Sequence, residues 1–278
     1  MTVGIVGLGL IGGSMAKAYK KNSDCTVLGA DRDHPTLEYA RLVNAVDGEL
    51  TEERISECDL LLIALYPTAA ISYLQSIAAR IRTDAVVIDL CGTKRTVCEA
   101  GFALAAEYGF TFVGGHPMAG RQYSGFKYSD AGLFRGAPMV IVPPRRDDIF
   151  LLDRIKNLLS PAQFGRFSVT TASQHDEVIA FTSQLAHVVS NAYVKSPTAK
   201  IHSGFSAGSY KDLTRVAKLN EEMWTMLFVE NKEFLSDELT TLIGELTKYR
   251  DAIAAGDSDT VRALLRDGRI RKEEIDGK

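Results

Sequence analysis

Over the first 170 residues the apolar positions come in short unbroken runs rather than in stripes: Val3–Val6, Thr26–Ala30, Leu60–Ala64, Val86–Leu90, Thr111–Gly115 and Met139–Val142. Runs of that length, bounded by polar or glycine-containing turns, predict strands covered on both faces. Between them, segments such as Ala69–Arg82 and Thr96–Tyr108 repeat their apolar residues at helical spacing. The alternation predicts a parallel, doubly wound α/β sheet, with Arg166–Thr171 as one further strand.

Beyond Ser173 the period changes. Val178, Ile179, Phe181, Leu185, Val188 and Val189 recur as on one helix face, with Ser173 as the expected N-cap and Asp176 three residues on. Leu213–Leu235, Ser236–Ala255 and Asp257–Arg269 continue the helical period, and Arg269–Lys278 reads as a solvated charged tail. The pattern therefore predicts a Rossmann-like dinucleotide-binding domain over residues 1–170 and an all-α domain over 171–278. No flexible linker separates them, so the two are expected to pack tightly and leave a cleft at their junction.

Composition narrows the partners. The 278 residues carry a formal net charge of -3 and are 46% hydrophobic and 24% charged, which fits a soluble globular protein without the broad basic field of a nucleic-acid or anionic-membrane binder. An anionic substrate must then be held by a local cationic cluster. Cys25, Cys58, Cys91 and Cys98 show neither disulfide-framework nor zinc-site spacing, so no metal is expected and reduced thiols fit a cytoplasmic protein. The glycine-interrupted N-terminus resembles neither a signal peptide nor a spanning helix.

Two motifs carry chemistry. Gly7-Leu8-Gly9-Leu10-Ile11-Gly12 lies between the first strand and a helix, where a GxGxxG turns tightly and lets helix-start amides face a pyrophosphate. Asp31 ends the second strand, placed to accept hydrogen bonds from an adenosine ribose, which favours NAD; the adjacent Arg32 is suited to a 2′-phosphate and pulls the other way. The second motif, Gly114-Gly115-His116-Pro117-Met118-Ala119-Gly120, follows a late strand and puts an imidazole at its carboxyl end. With an ordinary pKa of about 6.5, His116 can take or return a proton near neutrality.

These runs, together with Asp212-Leu213-Thr214-Arg215 in the helical half, resemble the prephenate/arogenate dehydrogenase family of tyrosine biosynthesis, over nearly the whole chain. The resemblance implies NAD-dependent oxidative decarboxylation of a cyclohexadienol, His116 as the base for the ring hydroxyl, Arg215 gripping a substrate carboxylate, and a homodimer through the helical domain. It also implies that His187, in Ser183-Gln184-Leu185-Ala186-His187, helps hold the substrate and that Trp224 lines the site. From the residues alone, Arg215 can equally pair with Asp212 on a helix surface, and His187 and Trp224 can be packing residues. His175 and His202 are weaker candidates.

The chain departs from the family pattern in two places. Where many members have a serine beside the catalytic histidine, this chain has Gly92, with Thr93 one residue on as a possible substitute and Lys94 beyond it. Where some members carry an acid that can pair with the ammonium of arogenate, this chain has the neutral Gln122, which favours prephenate. The alternatives are an arogenate dehydrogenase, or another two-domain NAD(P)-dependent dehydrogenase of the β-hydroxyacid or imine-reducing kind. With no further segment beyond the helices, any control by tyrosine is expected to act at the active site itself.

Overall fold

In the computed structural model, which describes residues 1–121 and 123–277, the N-terminal part is an eight-stranded sheet in the order β3-β2-β1-β4-β5-β6-β7-β8. Its strands are β1 (Thr2–Val6), β2 (Thr26–Ala30), β3 (Gly48–Glu49), β4 (Leu60–Ile63), β5 (Val86–Asp89), β6 (Thr111–Pro117), β7 (Pro138–Val142) and β8 (Arg166–Val169). All neighbours are parallel except β6 and β7, where His116 stands opposite Val140 in an antiparallel ladder. The expected doubly wound sheet is present, with the order reversing between β1 and β4, the point at which such sheets bind nucleotides.

The helices of this part are α1 (Leu10–Asn22), α2 (His34–Leu42), α3 (Pro67–Ile77), α4 (Arg95–Tyr108) and α5 (Ile149–Leu158). Each strand is apolar on both faces because each face is covered. One layer of the core joins Val3, Ile5, Leu62 and Ile88 to Met15, Tyr19 and Ile155; the other joins Leu61, Ile63 and Val87 to Leu74, Val97 and Phe112. Burial of this kind stabilises by about 25 cal/mol per Å² of apolar surface.

The helical part runs α6 (Ala172–Ile179), one wide π turn (Ala180–Leu185), α7 (Ala186–Tyr193), α8 (Gly208–Thr214), α9 (Glu221–Glu230), α10 (Lys232–Ala254) and α11 (Ser258–Ile275). Three sequence expectations change here. The cap of α6 is Thr171, whose hydroxyl accepts from Gln174 N, and not Ser173. Buried pairs fall at His175–Asp176, Ile179–Ala180 and then Gln184–Leu185: the step of five is the π turn, and Val178 and Phe181 consequently face outwards. Leu213–Leu235 is not one helix either, because Asn220 caps α9 through Met223 N and breaks it. The charged tail continues the last helix to Ile275, exposed along its length.

Candidate active site

The carboxyl ends of β1, β5 and β6 lie along one edge of the sheet, where the turn after β5 and the end of β6 meet the helical domain. At the β1 end, Gly7 adopts φ +84°, open only to glycine without strain, and a Cβ on Gly12 would sit 1.8 Å from the Gly7 carbonyl oxygen. The first turn of α1 has no side-chain cap at Gly9, which leaves its amides for an anion. Leu8 follows the turn into the core, while Leu10 and Ile11 begin α1. Asp31 accepts from Leu8 N at 2.7 Å and from Asp33 N at 2.9 Å, which fixes its carboxylate against the glycine turn; Arg32 is exposed beside it. This loop fits a dinucleotide: open amides, no side chain in the cradle, and an acid tied to it.

His116 lies at the end of β6 and is held from the other domain. Its Nδ1 is 2.8 Å from Nε2 of His175, whose Nδ1 is 2.7 Å from Oδ1 of Asp176. A carboxylate only accepts, so His175 Nδ1 carries a proton and donates it to Asp176. His175 Nε2 is then the acceptor for His116 Nδ1–H, and His116 keeps a bare lone pair on Nε2. The arrangement fixes the tautomer a general base requires.

Asp176 does more than orient His175. Its two oxygens accept from Lys94 N at 2.7 Å and Arg95 N at 2.9 Å, capping α4, a helix with no side-chain cap of its own. Beneath His116, the fully buried Lys94 ammonium bonds the Asp89 carboxylate, whose other oxygen accepts from Gly115 N at 3.3 Å.

The charges follow from these contacts. Desolvation, then the neighbouring His175 and Lys94, hold the His116 imidazole well below its usual pKa. His175 is lowered by burial, but Asp176 opposes the shift. For Asp176, burial raises the pKa, and the hydrogen bonds from His175, Arg95 and Lys94 outweigh it, so the carboxyl lies below its ordinary range. At neutral pH both imidazoles are uncharged beside a buried cation and a carboxylate.

On the helical side, His187 donates from Nδ1 to Ser183 O at 2.8 Å and stacks on Trp224 at 3.9 Å between ring centroids. Burial lowers its pKa, and the nearby Arg215 charge lowers it further. Arg215 is exposed and forms no salt bridge among the described residues, so the alternative pairing with Asp212 is not made. The structure thus brings His187, Trp224 and Arg215 together. Thr93 is placed differently: its hydroxyl donates to Glu230 on α9, and at Gly92 a Cβ would meet Leu227 at 3.2 Å. Gln122 lies outside the described residues. His202 stacks on Tyr210 instead.

Sequence reasoning missed the rank of His175 and the part played by Asp176. The available signal was a histidine and an acid side by side on the buried face of a helix, residues that are seldom buried without partners.

Comparison with known proteins matches both parts of the chain to one family. Residues 15–165 match the family model described as prephenate dehydrogenase, nucleotide-binding domain, and residues 171–267 match prephenate dehydrogenase, dimerization domain. The chain is 29% identical to a prephenate dehydrogenase of Bacillus subtilis, over 99% of this chain and 76% of that protein. It is 30% identical to a cyclohexadienyl dehydrogenase of Zymomonas mobilis, over 92% of this chain and 90% of that one. Among solved structures, prephenate dehydrogenase from Aquifex aeolicus in complex with hydroxyphenyl propionate and NAD+ aligns with a TM-score of 0.79 at 26% identity, covering 99% and 98% of the two chains. A Streptomyces aurantiacus imine reductase shares the fold at 0.52 and 16% identity, covering 96% and 92%.

Proposed function

The chain belongs to the prephenate dehydrogenase family, and from that premise we propose that it catalyses the NAD-dependent oxidative decarboxylation of prephenate to 4-hydroxyphenylpyruvate in tyrosine biosynthesis. The observation that carries this reading is the bare Nε2 of His116 on the same carboxyl edge of the sheet as the glycine turn.

Prephenate has two carboxylates and a ring hydroxyl. His116 Nε2 accepts the hydroxyl proton as the carbinol carbon is oxidised, a contribution worth about 10²–10⁴-fold in rate. NAD, when bound, supplies the hydride acceptor; Gly7, Gly9 and Gly12 with the start of α1 hold its phosphates, and Asp31 its adenosine ribose. Arg215 grips a carboxylate with its planar fork, and His187 and Trp224 wall the ring. Loss of carbon dioxide then aromatises the ring and asks little of the protein beyond orientation.

The two halves divide near residue 170, between the end of β8 at Val169 and the start of α6 at Ala172. The helical half forms a symmetric homodimer: Ile243, Leu246 and Ile253 line one exposed stripe of α10, a face that a second copy covers. No described helix is long and apolar enough to cross a membrane. The four cysteines are free, as the reduced thiols of a cytoplasmic enzyme would be.

The test is a two-by-two assay of prephenate or arogenate with NAD or NADP. Prephenate with NAD gives the highest kcat/KM, and a preference for arogenate overturns the substrate assignment. In the same assay His116→Asn lowers kcat by about 10²–10⁴-fold while leaving ligand binding, and Arg215→Lys raises KM by about tenfold or more through the lost charge-assisted bond.

A further inference from the structure

His116 is not an isolated base. Its second nitrogen is spent on His175, and His175 is spent on Asp176, in a chain running from β6 into the first turn of α6. His116 is partly exposed at the carboxyl end of β6, whereas His175 and Asp176 are 3% and 2% exposed, so the chain leads from the sheet edge into the domain junction.

We propose that His175 takes over the proton, so that the positive charge produced by the reaction rests on a His175–Asp176 imidazolium–carboxylate pair rather than on His116. The bonds balance. The substrate O–H breaks and its proton bonds His116 Nε2; the Nδ1–H bond of His116 breaks and that proton bonds His175 Nε2. His175 then carries both ring protons with Nδ1–H still on Asp176, and His116 is neutral again as its other tautomer. The O–H electron pair stays on the oxygen that becomes the carbonyl, and the C–H pair leaves to the coenzyme the reaction already uses. When carbon dioxide leaves, the C–C pair stays in the ring and turns that carbonyl oxygen into a phenolate, which takes the proton back by the same path. This assignment rests on the reading of His116 as the base.

The groups facing His175 include a carboxylate that favours that resting place, and the cation among them disfavours charge on both rings alike. Asp176 touches His175 directly and does not touch His116. Lys94, in the turn after β5, faces both rings and Asp89, at the end of β5, faces His175; the Lys94 ammonium is paired with the Asp89 carboxylate. Arg95 binds Asp176 through the oxygen that His175 leaves free and is itself balanced by Glu233 from α10. Burial opposes charge on both rings, but only for His175 does a carboxylate in direct contact offset it. Acting through His116, His175 is a positioning and relay residue.

Because Asp176 also caps α4 of the nucleotide-binding part, the relay is complete only while the two halves are docked. The same carboxylate that stabilises the His175 imidazolium also spans the junction.

Imidazole ¹⁵N shifts of the wild-type full-length chain, followed through a pH titration and assigned with His175→Gln, read the proton's position without turnover. The expected result is that His175 acquires its second ring proton at higher pH than His116. Protonation of His116 first overturns the proposal. In kinetics, the glutamine side chain of the His175→Gln variant still accepts from His116 Nδ1–H through its amide oxygen but stores no proton. The variant should lower kcat about 10²-fold with KM within about threefold, and reduce the solvent isotope effect on kcat from two moving protons to one. Wild-type kcat and isotope effect in His175→Gln overturn the relay. The ring titration involves no substrate, so an error in the choice of prephenate does not alter its outcome.

Discussion

The two halves of the chain bury their apolar residues in opposite ways. In the nucleotide-binding half the strands are sealed on both faces, and residues such as Ile5, Leu62 and Val87 have no exposure. In the helical half, the buried apolar residues among those described are Ile179, Ala180, Leu185, Leu235 and Ala252 alone, while Ile243, Leu246 and Ile253 stay 57–64% exposed. A sheet between helix layers closes on itself; a thin helical layer does not. The first half is therefore stabilised from within and the second by what it leans against, namely the sheet domain through Asp176, Arg95 and Glu230 and, in the proposed dimer, a second copy through α10.

Charging that exposed face should produce the largest effect. Ile243→Glu with Leu246→Glu places two carboxylates in the proposed dimer contact, and the dimer Kd should rise by about a thousandfold or more, roughly 4 kcal/mol, as measured by analytical ultracentrifugation. An unchanged dimer would move the contact elsewhere. Next comes a matched pair of truncations. Leu62→Ala empties a sealed core and should cost about 2–5 kcal/mol in urea unfolding, whereas Ile253→Ala should alter unfolding of the monomeric double variant by no more than about 0.5 kcal/mol. Equal costs would erase the contrast between the halves.

The smallest effect concerns pH at their junction. His116 and His175 are held below the pKa of an unfolded histidine, so the unfolded chain binds more protons below about pH 6.5 and stability falls as pH falls through that value. The slope is at most about 1.4 kcal/mol per pH unit for each imidazole that stays neutral in the fold. Calorimetry should show Tm dropping between pH 7 and pH 5, and less steeply in His175→Gln. A Tm that is flat over that range contradicts neutral buried imidazoles.

Much of the fold could be read from the chain because sealed strands leave unmistakable apolar runs: β1, β2, β4, β5 and β7 fall within a residue of where those runs place them. Strand β3 could not be read, since Gly48–Glu49 pairs by backbone only and carries no apolar pattern. The phase along α6 is hidden from the sequence because the wide turn at Ala180–Leu185 moves the buried face by one residue, and nothing in Phe181 or Thr182 announces it. At the site, the glycine turn and His116 were legible as local motifs. His175 was not, because its partner His116 lies 59 residues away in sequence on another domain. Thr93 had the right chemistry and a neighbouring position, but Glu230 claims its hydroxyl, a contact that exists only once α9 has packed.

The wide turn sets an angle. An α-helix advances about 100° per residue, so His175 and His187 would stand about 120° apart around a regular helix. Winding one extra residue into the turn at Ala180–Leu185 removes one such step and brings them to about 20°. A single helix can therefore offer one imidazole to β6 and another to the Trp224 wall along nearly the same line. A related chain with one residue fewer in that turn would keep both rings in place on an uninterrupted helix, while a residue lost from either flank would swing one ring out of the cleft.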